Sequence, residues 1–209
     1  MKNFFLNLST KKAAMTVGIS FITSVIIVSI VDDFLLANFV VPGDTEKLAS
    51  DIKANGKMFG FAAAGYLLVL VLDSVIGLAL YVVLKPANKN RALLTSSLRL
   101  LYAFTLTIGT FALVFQIIDA YGYSSIKLVG YVFFALHIFV LGYSVLKSAY
   151  MPKSLGAFLI LASFTYIIFF VDLHLPEALG IIFMLIMALA ELSLSIWLIV
   201  KRNALPDNS

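Results

Sequence analysis

Six long stretches of this chain contain almost no charged residues, and this pattern constrains the fold more than any other feature of the sequence. Each stretch has at least 18 residues, enough for an α-helix rising ~1.5 Å per residue to cross a ~30 Å hydrocarbon core. They lie at residues 13–31, 59–84, 92–118, 128–146, 154–171 and 179–200. A membrane interior has no water to hydrogen-bond the backbone, and the stretches are apolar on every face. We therefore predict membrane-spanning helices and not strands.

The predicted fold class is all-α: a polytopic membrane protein whose six-transmembrane-helix bundle forms a single integral membrane domain over residues 1–209. The longest connection carries the turn signal Pro42-Gly43, and Asp44 can cap a following helix. Leu48 and Ile52 are four residues apart, which predicts a short amphipathic helix in this first external loop. We expect the tail after Arg202 to be disordered. The predicted boundaries are about 13–35, 58–84, 92–118, 127–147, 153–171 and 178–200 for the spans, and about 45–54 for the surface helix.

Composition excludes most other classes of protein. Apolar residues make up 62% of the chain and charged residues 12%, against about 45–50% and about 25% in soluble proteins. This balance argues against a soluble enzyme, a disordered chain or a nucleic-acid-binding domain, and we expect no nucleic-acid partner. With no cysteine and two histidines, the chain offers no convincing metal site, and it contains no phosphate-binding or nucleophile-elbow motif. We therefore expect neither a metal nor a cofactor.

The distribution of Lys and Arg predicts the orientation of the bundle. Ten of these residues lie on one set of helix ends, and four lie on the opposite set together with eight acids. Cytoplasmic loops of membrane proteins carry an excess of Lys and Arg. We therefore expect a multi-pass protein of the cell membrane with both termini in the cytoplasm. The ten are Lys2, Lys11, Lys12, Lys85, Lys89, Arg91, Lys147, Lys153, Lys201 and Arg202.

Four ionisable residues interrupt the spans: Asp73, Arg99, His137 and Glu191. Such groups are costly in a bilayer, so they usually face the bundle interior and often mark a functional site. Counted along the helices from the basic ends, Arg99 lies ~12 Å deep and the other three lie ~15–18 Å deep. Four residues at similar depth on four different helices predict one polar layer within the bundle.

Tyr66 shares a helix face with Asp73, and Tyr102 shares one with Arg99, so we add both tyrosines to the predicted ligand-binding or proton-relay residues. Each ionisable residue also has a structural interpretation. Arg99 can extend to the cytoplasmic interface, the two acids can serve as hydrogen-bonded links between helices, and His137 can be a neutral packing residue. The sequence leaves both interpretations open, and the catalytic residues, if there are any, unknown.

Several short motifs are spread along the chain. They include Val41-Pro42-Gly43-Asp44, Asp73 ahead of Leu80-Tyr81, Leu84-Lys85-Pro86-Ala87-Asn88, Leu98-Arg99-Leu100, Leu136-His137, Tyr150-Met151-Pro152 and Glu191-Leu192. With these motifs the sequence resembles, over about residues 13–202, a bacterial family of small six-helix membrane proteins known as domain of unknown function 4386. The resemblance implies a polytopic bacterial inner-membrane protein and brings no activity, ligand or catalytic residue with it.

Three functions remain open at this stage. The first hypothesis is binding, transport or proton relay of a small ligand, which includes a lipid, through the Asp73, Arg99, His137 and Glu191 layer. Six helices make a small transporter, so activity as a homodimer belongs to this hypothesis. The second is an intramembrane enzyme acting on a lipid or isoprenoid, although the residues favour a protein that is not an enzyme. The third is a structural, accessory or sensor membrane protein.

Overall fold

The computed structural model describes residues 8–31, 45–170 and 176–206, in which six long helices follow one another along the chain. All six are long and apolar enough to cross a membrane, and no strand occurs among the described residues. The predicted all-helical fold class is confirmed. The helices are α1 Thr10–Val28, α2 Thr45–Leu84, α3 Lys89–Val114, α4 Ala120–Leu146, α5 Lys153–Phe170 and α6 Glu177–Lys201.

Polar side chains fix the starts of three helices. The Ser9 hydroxyl accepts a hydrogen bond from the backbone N–H of Lys12 at the start of α1. The Asn88 side chain caps α3 in the same way, with an oxygen 2.9 Å from the backbone nitrogen of Arg91. The Asp119 carboxylate lies 2.7 Å from the backbone nitrogen of Gly122 and caps α4. Each cap satisfies a donor that the first helical turn leaves without an intrahelical partner.

Helix α2 joins the predicted surface helix to the second span without a loop. Asn55 has a non-helical backbone (φ −129°, ψ 35°), which kinks the helix at the position where the sequence predicts a break. The apolar part that can cross a membrane runs over Ala54–Leu84. The segment predicted as a helix over about 45–54 is therefore helical and continuous with α2. The Pro42-Gly43 turn and residues 32–35 at the predicted end of the first span lie outside the described residues.

The connection between α3 and α4 differs from the predicted boundaries of about 92–118 and 127–147. Helix α3 ends at Val114 and α4 begins at Ala120, seven residues earlier than predicted. Gln116 occupies the left-handed backbone region (φ 54°), and the Asp119 cap then starts the next helix. The difference arises because apolar residues continue through this turn and hide it from a hydropathy pattern.

The helices form a ring in chain order. Each helix packs against its sequence neighbours, and α6 returns to pack against α1. A short 3₁₀ turn, Arg202–Ala204, follows α6 and also contacts α1. The expected disorder of the tail after Arg202 is therefore wrong for Asn203 and Ala204, which lie in this turn, and for Leu205, which is buried (4% exposed). Residues 207–209 lie outside the described part of the chain.

Two apolar clusters fill the ring. The first core cluster lies toward the basic helix ends and includes residues of all six helices, among them Ala13, Ile76, Ala92, Leu141, Leu159 and Leu198. The second core cluster lies toward the other end, between α1, α2, α3 and α4, and includes Val31, Phe59, Tyr66, Leu70, Leu106 and Tyr123. On α2, Asp73 lies between Leu70 of the second cluster and Ile76 of the first. The two clusters therefore place the predicted polar layer at their boundary, within the ring.

Candidate functional site

Asp73, Arg99, His137 and Glu191 meet inside the bundle, although they come from four different helices. Their exposed fractions are 4%, 3%, 0% and 5%, so protein encloses all four side chains. The Arg99 guanidinium from α3 is in contact with the other three residues, and we call the four residues the ion network. Arg99 does not extend to the interface, because its guanidinium is held here among other polar groups.

Asp73 of α2 is the closest partner of Arg99. The Nε of Arg99 donates to Asp73 Oδ1 at 3.1 Å, and Nη2 forms an ion pair with the same oxygen. Hydrogen bonds between ionised partners are shorter and roughly twice as strong as neutral ones. The pair fixes α2 to α3 at the boundary between the two core clusters.

The hydrogen bonds of His137 determine its protonation state. Its Nδ1 lies 2.8 Å from the carbonyl oxygen of Thr95, which can only accept, so Nδ1 carries a hydrogen. Its Nε2 lies 3.2 Å from Nη1 of Arg99, which can only donate, so Nε2 accepts. Both ring nitrogens are used, and the imidazole is neutral. His137 therefore positions the guanidinium and adds no charge to the ion network.

Glu191 of α6 is the more loosely held carboxylate. Its Oε2 lies 3.7 Å from Nη1 of Arg99, within ion-pair range but beyond a normal hydrogen bond. Its other oxygen, Oε1, accepts a hydrogen bond from the Tyr166 hydroxyl of α5 at 2.5 Å. Tyr166 thus brings a fifth helix to the ion network.

Aromatic rings form one wall of the ion network. Phe134 lies under the guanidinium, with the Arg99 Cζ 5.3 Å from its ring centroid. Tyr102 packs against Phe134 at a centroid distance of 4.7 Å, and Tyr166 meets Phe134 edge-on at 5.1 Å. A cation held against an aromatic face in a desolvated site gains about 2 kcal/mol or more. Phe134 itself belongs to the first core cluster, so the wall joins the ion network to the apolar core.

The six residues predicted for the site do not all come together. Asp73, Arg99, His137 and Glu191 form the ion network, and Tyr102 reaches it through Phe134. Tyr66 is buried in the second core cluster, two helical turns from Asp73. Sequence reasoning missed Tyr166; the available signal was a phenol within an apolar span, since a buried hydroxyl usually has a hydrogen-bond partner.

The charges of the ion network do not cancel when all its acids are ionised. One guanidinium faces two carboxylates, and the imidazole is neutral. Fully ionised, the group carries one net negative charge inside the bundle, where an uncompensated charge is expensive. One proton on a carboxyl group makes the ion network neutral. Among the described residues, no group of three or more His, Asp or Glu side chains is arranged to hold a metal ion.

The fold and this site define the class of the molecule: a polytopic helical membrane protein with an ion network enclosed by its spans. The profile of one family, described as domain of unknown function (DUF4386), matches residues 16–118 and 112–201. The chain therefore belongs to the DUF4386 family.

One curated relative is an uncharacterized protein of Archaeoglobus fulgidus, which is 41% identical over 108 residues. The alignment covers 52% of this chain and 64% of that relative, less than two thirds of its length. No solved structure matches the chain.

Proposed function

We propose that this protein binds a small polar ligand or transports it across the membrane, and couples that step to protonation of the ion network. One observation carries the proposal: a single buried guanidinium contacts two carboxylates from different helices. Ionisable residues within a bilayer are rare and often mark transport pathways or proton relays. A buried ion pair alone adds little stability, because desolvation cancels much of the attraction.

Glu191 is the proposed proton acceptor. Asp73 receives two donors from Arg99, whereas Glu191 lies 3.7 Å from the guanidinium and receives the Tyr166 hydroxyl. Removing the proton from Glu191 leaves the ion network with one net negative charge, and a bound ligand cation restores neutrality. Proton binding and ligand binding are then linked through one charge.

Infrared spectroscopy of the purified protein tests the proton directly. A protonated carboxyl group has a carbonyl stretch that a carboxylate lacks. We expect a pH-dependent band that disappears in Glu191→Gln. In Asp73→Asn the Glu191 carboxylate alone balances Arg99, so the band should appear only at lower pH. The matched control is Glu177→Gln, which removes the exposed acid in the first turn of the same helix and should leave the band unchanged.

A flux assay tests the coupling. Candidate ligands are added to proteoliposomes that contain an internal pH indicator. The internal pH should change in vesicles with the wild type or Glu177→Gln, and should not change in vesicles with Glu191→Gln. If Glu191→Gln changes neither the infrared band nor proton movement and only lowers stability, the ion network is a structural link between helices. The proposal then fails.

We further propose that both termini face the cytoplasm in the cell membrane, on the basis of the basic helix ends. The chain has no cysteine, so single cysteines can report the topology. Asn90→Cys lies in α3 near the basic end, and Ser125→Cys lies in α4 near the opposite end; both positions are exposed. A thiol reagent that cannot cross the membrane, applied to intact cells, should label Ser125→Cys only. Labelling of Asn90→Cys alone would reverse the orientation.

A further inference from the structure

The basic end of the bundle carries an unbalanced positive charge. Nine described Lys and Arg residues lie there, and the described residues of that end include no acid. The opposite end carries both signs, for example Asp119 and Lys127. Clusters of this size next to membrane helices attract anionic lipids. The nine residues are Lys11, Lys12, Lys85, Lys89, Arg91, Lys147, Lys153, Lys201 and Arg202.

Two of these cations are held over the same aromatic ring. The Arg91 Cζ lies 5.5 Å from the ring centroid of Tyr143, and the Lys147 Nζ lies 5.8 Å from it. Arg91 comes from the first turn of α3, whereas Lys147 ends α4. Tyr143 is 42% exposed, so the arrangement lies at the surface of the bundle. We call Arg91, Lys147 and Tyr143 the cation pair site.

Arg91 and Lys147 repel each other, because both are cations held over the same ring. An anion with several acceptor oxygens placed between them removes this repulsion. A phosphate group matches this need, since Arg binds phosphate oxygens through more than one N–H.

An apolar track leads from the cation pair site along α4. Phe139, Leu136 and Val132 follow Tyr143 at steps of four, three and four residues, and all three are 41–52% exposed. Residues at this spacing share one helix face. Leu136 and Val132 also line a cleft of about 130 Å³ between α4 and α5, together with Tyr131 and Phe170. The track runs ~16 Å into the membrane from the level of Tyr143.

We propose that the cation pair site and this track bind one anionic phospholipid. Arg91 and Lys147 hold the phosphate, the Tyr143 ring keeps the two cations in place, and an acyl chain lies along Phe139, Leu136 and Val132 toward the cleft. Each juxtamembrane cation contributes about fivefold to the binding of anionic lipid, so the two together contribute about 25-fold. The two cations select a lipid with an anionic headgroup, and the apolar track favours a lipid over a soluble phosphate.

Native mass spectrometry of the detergent-purified protein tests this site, with phosphatidylglycerol and phosphatidylcholine of identical acyl chains as probes. We expect the wild type to retain phosphatidylglycerol preferentially. In the double variant Arg91→Gln/Lys147→Gln this preference should fall about 25-fold, the product of the two cation contributions. Arg91→Lys/Lys147→Arg keeps both charges and should retain most of it. Circular dichroism and gel filtration verify that each variant is folded.

The matched control is Lys127→Gln at the opposite end. The Lys127 Nζ lies 5.7 Å and 5.6 Å from the ring centroids of Tyr123 and Tyr131. The substitution therefore also removes a cation that lies over aromatic rings. It should leave the preference unchanged. Leu136→Trp, which narrows the cleft, should weaken retention of phosphatidylglycerol. Equal retention of the two lipids by the wild type overturns the proposal. So does a loss of preference in Lys127→Gln as large as that in the double variant. Displacement of the bound lipid by glycerol phosphate also overturns it.

Discussion

Arg99 connects more of the molecule than any other described side chain in the ion network. Its guanidinium contacts Asp73 of α2, His137 of α4 and Glu191 of α6, and it lies over Phe134. The planar fork of Arg can reach several partners in fixed directions, whereas Lys presents a single point charge. Removing Arg99 leaves two carboxyl groups facing each other with no cation between them, so the effect exceeds the loss of one contact.

We expect Arg99→Gln to lower the free energy of unfolding by about 3–5 kcal/mol, because it leaves uncompensated buried acids. Denaturant titration of the protein in detergent measures this change. Lys153→Gln, at an exposed position, should change stability by less than about 0.5 kcal/mol. In a double-mutant cycle with Asp73→Asn, the combined loss should be smaller than the sum of the single losses. Additive losses would show that the two side chains are not coupled.

The sequence predicted the residues of the ion network better than their contacts. Asp73, Arg99, His137 and Glu191 stood out because ionisable groups are expensive in lipid, and helical rise put them at similar depth. Tyr66 and Tyr102 were included by helix face alone; Tyr102 packs against Phe134 beside the ion network, and Tyr66 packs in the second core cluster. Tyr166 was missed because tyrosine is common in membrane helices, and its partner depends on how α5 is rotated against α6.

At the scale of elements, two glycines set the distance between α4 and α5. A Cβ on Gly156 would lie 2.5 Å from the backbone nitrogen of Leu146, and one on Gly142 would lie 2.9 Å from the carbonyl oxygen of Gly156. Both neighbours are backbone atoms, which cannot move aside as a flexible side chain can. The close approach holds Tyr166 of α5 near the ion network, since α5 carries it and packs against α4.

Gly156→Ala should therefore separate α4 from α5 and cost about 1–3 kcal/mol of stability, the usual range for overpacking. Gly60→Ala is the matched control: a Cβ there meets nothing within 4 Å, and Ala favours helix by about 1 kcal/mol. Thermal unfolding of both variants in the same detergent makes the comparison. Equal stability of the two would contradict the proposed helix contact.

Tyr150 fixes the α4–α5 connection to α2 and predicts a dependence of stability on pH. Its hydroxyl donates to the carbonyl oxygen of Val83 at 2.8 Å, and burial raises its pKa to about 12 from 10.0. A raised pKa means that the folded protein favours the protonated phenol, so this stabilisation is complete below pH 10 and is lost as the pH rises toward 12.

Unfolding measured over this alkaline range should show a steeper loss of stability for the wild type than for Tyr150→Phe. Tyr121→Phe, at an exposed position (70% exposed), should follow the wild type. Parallel curves for the wild type and Tyr150→Phe would mean that Tyr150 does not contribute to the pH dependence.

The number and class of the helices could be predicted because hydropathy alone determines them. The helix boundaries on either side of the α3–α4 connection could not be predicted, because they depend on the backbone conformation of Gln116 and on the Asp119 cap. The predicted bounds, about 45–54 and 58–84, separated the surface helix from the second span, but did not show that one kinked residue, Asn55, would join the two helical segments. Local hydrogen bonds decide such details, and apolar patterns do not report them.

For the whole molecule, the contact between α1 and α6 determines whether the ion network is enclosed. Glu191 belongs to α6, which packs between α5 and α1, and the helices meet in a closed ring. Lipid tails are as apolar as the core, so close packing and not the hydrophobic effect holds such helices together. Gly18 of α1 provides this packing: a Cβ there would lie 2.8 Å from the carbonyl oxygen of Ser195 and 2.5 Å from the Ile199 side chain.

Gly18→Leu should open this contact while leaving the rest of the ring assembled. We expect faster amide hydrogen exchange in α1 and α6 and unchanged exchange in α3 and α4, because α3 and α4 keep their own contacts. Gly60→Leu, whose added Cβ meets nothing within 4 Å, serves as the control. If proton coupling at Glu191 requires an enclosed ion network, Gly18→Leu should also reduce the pH-dependent carboxyl band that Glu191→Gln abolishes. Faster exchange spread evenly over all helices would instead mean that the ring unfolds as one unit, and that α1 is as essential to it as the helices that carry the charges.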